Sequence, residues 1–257
     1  MEFGKSTIGL LAALLISGFT ASASASASAS ASAACEVPND PNPVTISTGF
    51  NWPHAGPSNT GIFPTLMKEA FCRIGRKVNV VRIPTARSVR QANAGLFFGE
   101  GPRRWSLVSQ YADLRLLQPA LYNLKFMAFS IKPFPNVKTY NDLAPYVAAT
   151  VIGRKSVENN LRAVMEHFTT ASNETLAFQM LKVGRVDFVV IDELTGLYFA
   201  KEAGIDNLHV AALEEHPFHL LVHISNKGLL PELGGALQEM HDDGTVDGII
   251  TGIIGKQ

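Results

Sequence analysis

The chain has 257 residues, 46% of them apolar and 17% charged, enough to bury the core of one large domain or two modest ones. Its 22 basic and 22 acidic residues cancel. A protein that wraps a polyanion carries a basic surplus against the phosphates, so this balance speaks against nucleic acid as a partner.

The first residues read as an export signal. Lys5 gives a short positive region, residues 8–19 are mostly apolar, and the Ala-Ser tract over 21–34 repeats the small-x-small pattern that a signal peptidase accepts. The apolar part falls short of the roughly 20 residues that a membrane span needs. Residues 1–34 are therefore expected to be a removable signal with its tract, and the mature chain to be periplasmic without a span. The tract offers the cleavage pattern in many registers and fixes no single cut. In an oxidising compartment Cys35 and Cys72 read as one disulfide or as two free thiols. Cys35 also stands where a lipoprotein carries its acylated cysteine, but Ser32 replaces the Leu such sites want.

Residues 44–47 form a short β-branched strand. A turn-rich loop over 51–61 leads to a helix with Pro64 in its first turn, with Met67, Ala70, Phe71 and Ile74 at helical spacing and Gly75 as its stop. A strand over 78–83, a short helix over 87–94 and a brief strand over 96–100 follow. Residues 105–122 show no clear period, and 125–131 is a longer strand. After Pro133 and Pro135 the alternation restarts: strand 147–152, helices 157–168 and 174–182, strand 186–191, helix 195–203, strand 208–211. Residues 218–225 alternate, with Phe218, Leu220, Val222 and Ile224 opposite His219, Leu221 and His223. Helices over 231–241 and 246–254 end the chain. Such alternation implies parallel strands joined by crossover helices. Gly95 and Gly184 both stand between a short helix and a strand, where a left-handed backbone suits glycine, an echo that suggests two similar α/β halves.

Four segments, in order, carry a family resemblance. They are Phe50, Trp52 and Pro53 leading to Gly61; Val80-Val81-Arg82-Ile83-Pro84 with Arg87; the run from Leu181 through Gly184 and Asp187 to Asp192 and Glu193; and the helix from Leu233 that ends in Asp242-Asp243-Gly244. Over residues 44–254 the chain resembles the type II periplasmic binding proteins, in particular those that bind amino acids and similar polar solutes. A closer likeness is to a branch with Gly-Glu-x-x-Arg, here Gly99-Glu100-Gly101-Pro102-Arg103. The resemblance implies an α/β fold of two Rossmann-like lobes joined by two crossover hinge strands, 125–131 outward and 218–225 back. Lobe 1 would comprise 36–131 plus 216–257 and lobe 2 132–215, closing on a small-molecule ligand. It further implies a monomer without cofactor or covalent chemistry that delivers its ligand to an ABC-type membrane permease. Two other readings stand beside it: a ligand sensor for a membrane receptor, or a small dehydratase-like enzyme using Glu100 or Glu193.

The resemblance also assigns the ligand-binding residues. Arg103 matches the arginine that clamps a ligand carboxylate with its planar donors, and Arg104 could take the role instead. Ser156 precedes an expected helix and could cap it, or join its free N–H groups in holding an anion, with Arg154 and Lys155 nearby. Asp192 falls where the family holds the ligand ammonium, or it caps the next helix. Trp52 packs over the ligand or belongs to the core. Glu100 departs from the family's neutral hydroxyls and implies a cationic ligand group or an ion pair with Arg103. Phe98 stands where aspartate is common, which puts an ordinary α-amino acid in doubt. His216, His219 and His223 do not form a metal site: His219 and His223 lie about 13 Å apart along a strand, at roughly 3.3 Å per residue.

Overall fold

A computed structural model describes residues 40–134 and 136–255. Its first part runs β1 (Val44–Thr48), α1 (Ile62–Arg73), β2 (Val78–Arg82), α2 (Thr85–Asn93) and β3 (Gly99–Arg104). β1 lies between β2 and β3 and is parallel to both, the pairing that crossover helices impose. α1 buries Ile62, Phe63, Leu66, Met67, Ala70 and Phe71 along one stripe against the sheet. A 3₁₀ stretch (Trp105–Gln110) and the short β4 (Leu114–Leu116) then lead into β5 (Tyr122–Ser130).

The pattern repeats in β6 (Ala148–Val151), α3 (Lys155–Val164), β7 (Thr169–Ala171), α4 (Glu174–Lys182), β8 (Phe188–Asp192) and α5 (Glu193–Glu202). Here β6 is the central parallel strand, flanked by β7 and β8. The glycine echo is structural. Gly95 and Gly184 take φ of 76° and 71°, and the next N–H reaches back to Gln91 O (3.0 Å) and Met180 O (2.9 Å), so α2 and α4 close in the same way. β9 (His209–His223), α6 (Leu230–Asp242) and α7 (Thr245–Ile254) follow.

The strands form one path, β2-β1-β3-β9-β5-β8-β6-β7, with β4 beside β9. β5 and β9 are antiparallel partners at its middle. β9 continues to β3 and β5 to β8, so two α/β halves hang on one shared strand pair. This is the expected class, an α/β fold of two halves joined by crossing strands. Alternate residues of β8 enter two apolar clusters, Phe188 and Val190 one, Val189 and Ile191 the other. The second half-sheet is therefore buried on both faces.

Four expected elements are corrected. The strands at 208–211 and 218–225 are one 15-residue strand. Glu214-Glu215-His216-Pro217 reads as a break, but its pairing with Asn123–Phe126 of β5 keeps it extended. The return crossing thus lies earlier than expected, within 209–218. The brief strand at 96–100 begins instead at Gly99 and runs to Arg104. Glycine, proline and glutamate are poor strand formers, yet β1 pairs with Gly99 and Glu100 and β9 runs along the strand, with a register shift between Glu100 and Arg103. The helix expected over 157–168 stops at Val164 and yields to β7.

The expected signal, residues 1–34, and Cys35 lie outside the described residues. Cys72, in the last turn of α1, is disulfide-bonded. No described helix is long and apolar enough to cross a membrane.

Candidate ligand-binding site

A cavity of ≈ 290 Å³ lies where the loops after β1 and β6 meet the end of β3. Ligands of open α/β sheets gather at the carboxyl ends of parallel strands for this topological reason. Gly49 and Phe50 follow β1, Gly153 follows β6, and Thr85, Ala86, Lys155 and Ser156 belong to the first turns of α2 and α3. Phe126 of β5 and Phe218 of β9 supply an aromatic wall. Gly49 is required by a close approach: a Cβ there would sit 2.5 Å from Thr85 Cα, so any side chain would displace the start of α2.

Arginine and lysine come from both halves. Arg103 and Arg104 end β3, and Arg154 and Lys155 open α3. Each has a carboxylate partner that does not itself line the cavity. Arg103 pairs with Glu100 (2.6 Å), Arg104 with Glu214 (2.7 Å), Arg154 with Asp192 (3.0 Å) and Glu174 (3.3 Å), and Lys155 with Glu158 (2.8 Å). The guanidiniums also lie over aromatic rings: Arg103 and Arg154 at 5.6 and 5.1 Å from Phe50, Arg104 at 4.9 Å from Phe126. Carboxylate and ring together fix each planar donor group without using all of its N–H bonds.

Glu100 resolves in favour of the ion pair. It is fully buried, accepts from Ser88 Oγ (3.1 Å) and faces Arg103. Burial raises its carboxyl pKa, while the Arg103 charge and the Ser88 hydrogen bond act in the opposite sense.

Asp192 is brought to the neighbourhood of the cavity but not into its lining. It is fully buried; Oδ1 accepts from Thr195 N (3.0 Å) at the start of α5 and meets His54 Nε2 (2.9 Å), while Oδ2 accepts from Arg154 (3.0 Å). It is thus the helix cap, and it also links the halves, since His54 belongs to the loop after β1. Burial alone would raise its pKa; His54, Arg154 and the Thr195 N–H hold it well below the usual carboxylate range. His54 reaches on to Tyr122 Oη (3.0 Å), and Asn51 meets Glu174 (3.3 Å) across the same seam.

Ser156 lines the cavity, but its expected capping role is corrected. α3 begins at Lys155, two residues earlier than expected, Arg154 occupies the cap position, and no side chain caps the helix. Trp52 lies outside the cavity lining, edge-on to Tyr198 at 6.1 Å. The three histidines have separate partners: Glu214 for His216, Leu117 O for His219 and Ser225 for His223. No cluster of three or more His, Cys, Asp or Glu side chains among the described residues is placed to hold a metal. Glu193 belongs to a separate hollow of ≈ 440 Å³, with Lys125, Glu215 and Asp247.

Sequence reasoning missed Phe126, Phe218 and His54. The two phenylalanines look like ordinary core residues of alternating strands, and a single histidine in a turn-rich loop carries no local signal. Only the crossing of β5 and β9 places those rings at the cavity.

No family model and no curated protein matches the chain. Solved structures do. The ligand-binding core of GluR0 with L-glutamate superposes with a TM-score of 0.74 at 14% identity, covering 84% of this chain and 100% of that one. An ancestral arginine-binding protein bound to glutamine gives 0.66 at 20% identity, covering 84% and 100%. A histidine kinase sensor domain with similarity to periplasmic binding proteins gives 0.66 at 16% identity, covering 83% and 96%. These likenesses show the fold: the chain has the two-lobed α/β architecture seen in type II periplasmic binding proteins.

Proposed function

We propose that the chain is an exported, periplasmic solute-binding protein. It captures a small polar solute in the cavity between its halves and delivers it to an ABC-type membrane transporter. Lobe 1 comprises residues 36–131 plus 216–257 and lobe 2 residues 132–215, and the protein acts as a monomer without covalent chemistry. The observation that carries this reading is the convergence of Arg103 and Arg104 from one half with Arg154, Lys155 and Ser156 from the other on a single cavity. A solute held by both sets of donors favours the closed arrangement over the open one, and that differential affinity drives hinge closure.

The fold of the sensor domain supports a second reading, in which the same closure is read by a membrane signalling protein. The dehydratase alternative draws little support, because Glu100 is sealed against Ser88 and Arg103 and Glu193 lies at the other hollow. A thermal-shift screen over amino acids, polyamines, short peptides and organic acids tests the binding function, since a ligand specific to the folded state raises the melting temperature. Arg103→Ala should abolish the shift given by any true ligand. A hit whose affinity survives both Arg103→Ala and Ser156→Ala refutes the site.

A further inference from the structure

Resting on the reading that this cavity takes the solute, we propose that the ligand is a carboxylate with an apolar or single-ring aromatic body and no ammonium group. None of the described residues lining the cavity is acidic, whereas Arg103, Arg104, Arg154 and Lys155 all line it. The nearby acids, Asp192 among them, are each engaged by one of these cations. A zwitterionic amino acid would bring its ammonium group among positive charges with no carboxylate in the lining to meet it, and such a group is expensive to desolvate unpaired.

A carboxylate meets the opposite situation. The guanidiniums are held flat by their partners and by the rings of Phe50 and Phe126, a geometry suited to two carboxylate oxygens at once. α2 and α3, nine and ten residues long, both begin at the cavity without a side-chain cap. Their first-turn N–H groups add partial positive charge to that of the side chains. Thr85, Gln110, Tyr111 and Ser156 add a few neutral polar groups to the lining, but Phe50, Ala86, Val89, Phe126 and Phe218 give it a mainly apolar wall, which suits a body that makes few hydrogen bonds. The volume of ≈ 290 Å³ lies at the small end of ligand clefts and suits one ring rather than two.

The class is tested by isothermal titration of the purified chain with 3-phenylpropionate, L-phenylalanine and 3-phenylpropanamide. The amino acid adds an ammonium group to the first probe, and the amide removes its charge. The acid should bind, and the other two should bind roughly tenfold or more weakly. Lys155→Gln changes a side chain that is 75% exposed, so the fold should survive, and it should weaken binding of the acid by a few-fold. Failure of 3-phenylpropionate, phenylacetate and benzoate to bind at millimolar concentration overturns the class. An α-amino acid that binds more tightly than these acids, and loses affinity in Arg103→Ala, overturns the class while leaving the cavity as the binding site. A tight ligand indifferent to both Arg103→Ala and Lys155→Gln removes the cavity and both proposals with it.

Discussion

Asp192→Ala probes the seam between the halves most directly. The substitution removes the acceptor for the Thr195 N–H at the start of α5, worth about 1 kcal/mol. It also leaves Arg154 and His54 facing an emptied position, and breaking a buried ion pair from one side costs about 3–5 kcal/mol. The sum, about 4–6 kcal/mol, is a large part of the roughly 5–15 kcal/mol that holds a typical domain folded. Urea denaturation should show it as a lower midpoint. Asp192→Asn keeps a carbonyl for the helix cap and should lose about 1 kcal/mol less. The wild type adds a pH signature. Because the folded-state pKa of Asp192 is depressed, its contribution is present above the unfolded value of about 3.9 and fades as pH falls through the folded one. Stability attributable to this carboxylate should therefore decline below about pH 4 in the wild type, and Asp192→Asn should lack that component. A loss under about 1 kcal/mol for Asp192→Ala would show that the carboxylate does not hold the seam.

Glu100→Gln leaves the Arg103 guanidinium without its counter-charge; it should cost about 1–3 kcal/mol in stability yet tighten binding of an anionic solute several-fold. An unchanged dissociation constant would mean that Arg103 does not touch the solute. Gly196→Ala would drive a methyl group into the Phe129 ring, so a loss of about 1–3 kcal/mol is expected in thermal unfolding, relieved by a smaller residue at 129. Unreduced peptide mapping should recover Cys35 linked to Cys72, with reduction costing about 2–4 kcal/mol; alkylation of either thiol without reductant would refute the pair.

Elements governed by local chemistry could be read from the sequence. The helix expected over 174–182 has those bounds in the structure, where Asn173 caps one end and Gly184 closes the other. Where a partner strand overrides local preference, the local sequence points to the wrong structure. β3 is made of Gly99, Glu100, Gly101, Pro102, Arg103 and Arg104, and only the strands beside it keep it extended. The Glu-Glu-His-Pro run of β9 is held in the same way. The candidate site divides likewise. Arg103 and Ser156 are reached through the family resemblance, and both line the cavity. Asp192 was correctly placed at the end of its strand, but which groups its two oxygens would meet depends on His54 and Arg154, 138 and 38 residues away in the chain. Spacing carries no trace of such a meeting.

The contacts of Asn51 with Glu174 and of His54 with Asp192 join side chains of opposite halves directly. Each is lost when the halves part, so cutting one should ease opening and hasten the escape of a captured solute more than it slows its entry.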